Sequence, residues 1–163
     1  MFDNFSPRAR QVVFVARFKA GERGATAIEV DDFIDALILE DQGMLESVFS
    51  KFYEGQGTAV NSAPSHVSLF SSDIAQALLS NLGRILPRSQ SVPLTTEIPL
   101  SPSLETAFNS AKSFQTRFHR QQIEPLHLLA AILKEASSEG VKLLEGSGIT
   151  EEKVLALLSA GSA

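Results

Sequence analysis

Cysteine is absent from the 163 residues, and tryptophan with it. Without a thiol there is no disulfide framework, no thiolate nucleophile, no zinc ribbon and no iron–sulfur cluster. Basic residues are in short supply: 14 Lys+Arg against 19 Asp+Glu leave a formal charge of −5. Nucleic acid is therefore not an expected partner, because phosphate neutralisation needs a basic footprint. No apolar run approaches the roughly 20 residues that span a bilayer. The start, Met1-Phe2-Asp3-Asn4-Phe5, has neither the basic opening nor the apolar stretch of a secretory signal. A cytoplasmic protein without membrane contact is the expectation.

Catalytic motifs are missing too. There is no Gly-x-x-x-x-Gly-Lys-Ser/Thr phosphate cradle and no Gly-x-Ser-x-Gly elbow. Gly146-Ser147-Gly148 is too short for the latter and reads as a turn. None of His66, His119 and His127 has a histidine four residues away or acids at metal-binding spacing. No catalytic residue, cofactor or metal is expected, and His127 reads as a helix residue bonded to its neighbours.

What is present is a doubled pattern. Hydrophobic residues make up 44% of the chain, a globular share. Internal repeats are the first thing to test in such a chain. Aligning Phe5-Ser6-Pro7 with Leu100-Ser101-Pro102 sets an offset of 95 that holds without a gap to Asp41 and Ala136. Ser6/Ser101, Pro7/Pro102, Ala16/Ala111, Ile28/Ile123, Glu29/Glu124, Ala36/Ala131 and Glu40/Glu135 coincide. Apolar positions match as well, among them Phe33/Leu128, Ile34/Leu129, Leu37/Ile132 and Ile38/Leu133. Each copy opens with Ser-Pro, an N-cap hydroxyl followed by the one residue that loses nothing at the first helical position.

In copy one, Ala9, Val12, Val13, Ala16 and Ala20 form a helical stripe about 100° wide. Their counterparts are Leu104, Ala107, Phe108, Ala111 and Gln115. A second, more apolar helix is expected over Asp31–Glu40 and again over Pro125–Glu135. Shorter helices are expected at Gly43–Tyr53, Asp73–Leu86, Glu139–Glu145 and Glu151–Leu158. Glu54–Ser72, rich in Gly, Ser, Ala and Asn, reads as an insertion. Pro87–Pro99 holds three prolines and joins the copies. The expected fold is all-α: two four-helix repeats (5–86 and 100–159, with linker 87–99) related by a pseudo-twofold axis and packed as one compact domain.

Two groups of residues stand out as binding candidates. Asp31 and Asp32 open the second helix, where acids either complement the helix dipole or meet a partner. Phe14 and Phe18 lie four apart on the face opposite the Ala9–Ala20 stripe, flanked by Arg10 and Arg17. Such a face either covers another part of the chain or serves as an anchor for a partner or a second copy.

The doubled pattern resembles the Clp N-terminal (Clp repeat) domain of the AAA+ unfoldases. Phe5-Ser6-Pro7-Arg8-Ala9 is similar to the family's Phe-Thr/Ser-x-x-Ala start, and Ile98-Pro99-Leu100-Ser101-Pro102 to its Ile-Pro-Phe-Thr-Pro approach to the second repeat. Ile123-Glu124-Pro125-Leu126-His127-Leu128-Leu129 is similar to its Ile-x-Thr-Glu-His-Leu-Leu stretch. The resemblance implies a non-enzymatic module that binds Clp ATPase or protease components, adaptors or substrates, standing alone or attached to an ATPase. It implies alternatives as well: a small-ligand or phosphoarginine sink, or a homodimerisation module. In phosphoarginine-binding members the Glu of Thr-Glu-His receives the charged group. Here that position holds Asp31 in one repeat and Leu126 in the other.

Overall fold

In the computed structural model the described residues are 3–45, 68–93 and 95–160. Among them the chain forms seven helices: α1 (Pro7–Glu22), α2 (Val30–Asp41), α3 (Ser72–Ile85), α4 (Pro102–Arg117), α5 (Pro125–Glu135), α6 (Glu139–Gly146) and α7 (Glu151–Ala160). The fold is all-α. Most of the helix expected at Gly43–Tyr53 and most of the Glu54–Ser72 insertion lie outside the described residues.

Local chemistry places the helix starts. The Ser6 hydroxyl accepts the Ala9 N–H at 3.1 Å, and the Ser101 hydroxyl accepts the Leu104 N–H at 3.2 Å. Ser71, Ser138 and Thr150 cap α3, α6 and α7 in the same way. The central helices start differently. Glu29 and Glu124 precede them, and the residue three further on accepts the backbone N–H of that glutamate. This is Asp32 at 2.9 Å in one repeat and His127 at 2.8 Å in the other.

α2 and α5 are the middle of the molecule. Every residue of α2 except Asp31 is buried. α2 packs against α1, α3, α5 and α6, and α5 against α4, α7 and α1 as well as α2. Phe33, Ile34 and Ile38 of α2 and Leu128 and Ile132 of α5 are almost wholly shielded. Each such side chain contributes about 1.5–3 kcal/mol of burial.

The two halves cross. Phe5 pairs with Ile123, and Leu100 pairs with Ile28, in two isolated parallel bridges. The Ser6 N–H donates to the Ile123 carbonyl at 3.0 Å, and the Ser101 N–H to the Ile28 carbonyl at 2.9 Å. The Ile123 N–H donates to the Asn4 carbonyl and the Ile28 N–H to the Pro99 carbonyl, both at 2.8 Å. Moving each repeat-one number up by 95 and each repeat-two number down by 95 turns one set into the other. Each repeat's opening strand-like segment is therefore paired with the other repeat's approach to its central helix. Phe108 fastens the crossing, meeting Phe5 edge-on at 5.5 Å and Phe33 at 5.1 Å.

The helix faces differ slightly from the expected stripe. α1 buries Ala9, Val12, Val15, Ala16 and Ala20, while Val13 is only half-buried. α4 buries Phe114 rather than Gln115. The amide of Gln115 instead accepts from Asn4 at 2.6 Å and donates to the carbonyls of Arg120 and Gln121.

Candidate functional site

A wide recess among the described residues lies beside the loop that joins α1 to α2. It is an open groove of about 550 Å³, lined by residues 23–27, Glu29 and Asp31 on one side and residues 85–89 on the other. Gly24 shapes it. Its φ of +77° is left-handed backbone, and a Cβ there would collide with the Gln90 carbonyl and Ser89. The segment after α3 therefore lies directly on the loop, with the Ser89 N–H donating to the Arg23 carbonyl at 2.7 Å and the Val92 N–H to the Gly21 carbonyl at 2.8 Å.

Arg23 forms the floor. Its guanidinium is bidentate to Asp32, Nε to Oδ1 at 2.7 Å and Nη2 to Oδ2 at 2.6 Å, and Nη1 donates to the Pro87 carbonyl at 3.1 Å. The hydrogen bond to Asp32 pushes the Arg23 pKa up against the opposing effect of burial. Asp32 is fully buried, and its Oδ2 also accepts the Glu29 N–H. Asp32 thus lies under the groove, facing Arg23, and presents no surface to a partner. A second, charged recess of about 130 Å³ shares Arg23, Leu86 and Arg88 with the groove. In it Lys19 meets Asp35 at 3.3 Å; burial pushes the Asp35 carboxyl up, and Lys19 opposes that shift.

Asp31 is half-buried at the other edge. Its Oδ1 accepts the Ser138 hydroxyl at 2.6 Å and the Gly140 N–H at 3.1 Å, so it ties α2 to the first turn of α6. Burial pushes its carboxyl up, against those two hydrogen bonds. A Cβ on Gly140 would collide with that same oxygen, so glycine is what lets α6 approach.

The other sequence candidates lie elsewhere. The groove includes none of Arg10, Phe14, Arg17 and Phe18. Phe14 and Phe18 are half-buried and packed against the core. Arg10 donates to the Asp3 carbonyl at 3.1 Å. Arg17 holds the segment joining the repeats through the carbonyls of Pro93, at 3.1 Å, and Thr96. Sequence reasoning missed Arg23, Ile85 and Arg88. Gly24 directly after Arg23, and Pro87 after the end of α3, were the available signals. Ile85 is the one large apolar side chain exposed among the described residues, at 39%.

His127 is buried, and its Nδ1 accepts the Glu124 N–H, which leaves the proton on Nε2. Burial, helped by nearby Arg120, lowers its pKa to about 4, so it is neutral at pH 7. Its place and bonding are those of a helix-start residue. Among the described residues no cluster of three His, Asp or Glu is arranged to hold a metal, and no helix is long and apolar enough to cross a membrane.

Two serine-capped helix pairs crossed at their approaches, with the central helices innermost, define a known architecture. The model of the Clp repeat N-terminal domain matches residues 4–147, and again 99–160. The chain belongs to the Clp repeat N-terminal domain family. No curated protein sequence matches it. Solved structures with the same fold include the N-terminal domain of the chaperone ClpD from Arabidopsis thaliana, at 16% identity, TM-score 0.68 and full coverage of both chains. The Hsp104 N-terminal domain from Candida albicans is 13% identical with a TM-score of 0.63, over 96% of this chain and 89% of that one. The ClpV N-domain from Vibrio cholerae is 16% identical at 0.63, over 99% and 89%. A ClpV N-domain has also been solved in complex with a VipB peptide, similar at a TM-score of 0.61 and 16% identity, over 99% of this chain and 91% of that one.

Proposed function

We propose that this Clp repeat chain is a non-enzymatic, cytoplasmic protein-interaction module. It holds a segment of a partner protein in the groove between the α1–α2 loop and residues 85–89. The partners are Clp ATPase or protease components, adaptors or substrates in protein quality control. One observation carries the reading: this wide groove contains the exposed Ile85. An apolar side chain left in water beside Arg88 and Glu29 supplies an anchor with polar flanks, the usual make-up of a peptide site. The ClpV N-domain's complex with a VipB peptide supports a peptide ligand for this fold.

A phosphoarginine sink is less well supported. The acid that would receive the charged group commits its Oδ1 to Ser138 and Gly140, and the equivalent position in the second repeat is Leu126. Calorimetry with free phosphoarginine separates the two readings; no heat is expected at millimolar ligand.

The test is photocrosslinking from position 85 in the native cell, with position 134 as control. Defined protein adducts are expected from position 85, and Thr26→Trp, which fills the groove, removes them. Equal adducts from both positions, or steady ATP hydrolysis by the purified chain, would contradict the proposal.

A further inference from the structure

The pseudo-twofold relation exposes a second surface. A pocket of about 180 Å³ opens where α4 meets the crossed opening segments. Its floor is Phe5, Leu100, Phe108 and Ile123, and Glu105, Asn109 and Lys112 of α4 rise around it. Exchanging the repeats through the same offset of 95 gives the matching place in repeat one: Arg10, Phe14 and Arg17 on α1, above Phe5, Leu100, Val13 and Ile28. Those include the sequence candidates whose role the groove does not absorb.

The two places are built oppositely. In repeat one a phenylalanine ring stands at the position of Asn109 and packs against the core. Arg17, at the position of Lys112, holds the carbonyls of Pro93 and Thr96. In repeat two the shorter Asn109 borders a recess whose floor residues Phe5, Phe108 and Ile123 are buried and Leu100 half-buried. Glu105, Asn109 and Lys112 are exposed. Charge is reversed as well, with Glu105 where repeat one has Arg10.

We infer that the α4 pocket receives one bulky apolar side chain from a partner protein segment that carries a lysine or arginine beside it. The volume is below the roughly 300 Å³ at which small-molecule sites begin, so it fits a side chain rather than a cofactor. Glu105 supplies the complementary charge for the cation. Lys112 stands two turns along the helix, about 10 Å away, and disfavours a second cation at that end. The inference rests on the chain being a protein-interaction module but uses a different surface from the Ile85 groove.

The test is amide chemical-shift mapping on the 163-residue chain with three blocked peptides: Lys-Leu-Phe-Gly, Glu-Leu-Phe-Gly and Lys-Ala-Ala-Gly. The first should shift the amides of Phe5, Leu100, Phe108 and Ile123 in a saturable manner, and the other two should bind at least tenfold more weakly. Asn109→Phe, which copies repeat one, should weaken the first peptide at least tenfold with melting temperature unchanged. Glu105→Lys should reverse the preference between the first two peptides. Equal shifts from all three peptides, or an Asn109→Phe variant that binds as well as wild type, would overturn the inference. Shifts confined to residues 24–31 and 85–89 would overturn it while leaving the Ile85 groove standing; shifts at the α4 pocket alone would do the reverse.

Discussion

The two repeats share a backbone plan and fill it with opposite chemistry where the first helix meets the second. In repeat one the junction is ionic: Arg8 with Glu40 at 3.7 Å, Lys19 with Asp35 at 3.3 Å and Arg23 with Asp32 at 2.6 Å. The counterparts in repeat two are Ser103 with Glu135, Phe114 with Ala130 and Phe118 with His127. The last pair explains the rule. The third residue of the central helix must accept the backbone N–H of the preceding glutamate. If a carboxylate does this while fully buried, it needs a counter-ion, and Arg23 supplies one. A neutral imidazole needs none, so an aromatic ring can stand where the arginine was. At Lys19–Asp35 and Arg23–Asp32 the repeats exchange both members of a pair, whereas at Arg8–Glu40 only the arginine changes.

The largest effect is expected from breaking a pair. Arg23→Ala leaves Asp32 buried without its cation and should cost about 3–5 kcal/mol in urea unfolding. Replacing both members with the repeat-two pair, Arg23→Phe with Asp32→His, should recover more than half of that loss. A double variant as unstable as the single one would show that the two junctions are not interchangeable.

Next comes the acid response of His127. Its ordinary value is 6.5 and its folded value about 4, so the unfolded chain takes up the proton first. Its contribution is complete above pH 6.5 and is lost as pH falls toward 4, by about 3 kcal/mol. Asp31 and Asp35 shift the other way, since burial raises both, and acid relieves them. The clean measurement is therefore the difference between wild type and His127→Gln, which keeps an acceptor but does not titrate. The variant should lose less stability over this interval; parallel pH curves would contradict the assignment.

Much of this plan was legible in the sequence. The paired Ser-Pro starts located α1 and α4 because capping is local chemistry. The apolar runs located α2 and α5 because central helices are apolar on most faces. The junction pairs were not legible. Arg23 and Asp32 are nine residues apart across a loop whose path depends on Gly24, and no periodicity reports that. Asp31 and Asp32 read alike as helix-start acids, yet a one-residue step, 100° around the helix, turns one toward α6 and the other under the groove. Val15 and Phe114 were missed because both fall outside the stripe that helical spacing defines, and what covers the flank of a helix is long-range packing.

A smaller effect sharpens the equivalence of the contact between α2 and α6. Gly140→Ala forces Asp31 away from Ser138 and should cost about 1–3 kcal/mol, the range for stranding a buried acceptor. Asp31→Ala made together with it should remove the clash, leaving a double variant less unstable than the sum of the two singles. Smallest of all are the two caps: Ser6→Ala and Ser101→Ala should each cost about 1 kcal/mol. Unequal losses would mean that the two helix starts are not equivalent.

The reciprocal crossing is the feature on which all of this depends, and amide hydrogen exchange reads it directly. The N–H groups of Ser6, Ile28, Ser101 and Ile123 make the four crossing bonds at 2.8–3.0 Å. All four should exchange slowly, with opening free energies equal to one another and to global unfolding. If Ser6 and Ile123 exchanged through a local opening while Ser101 and Ile28 stayed protected, the halves would not be interlocked twins.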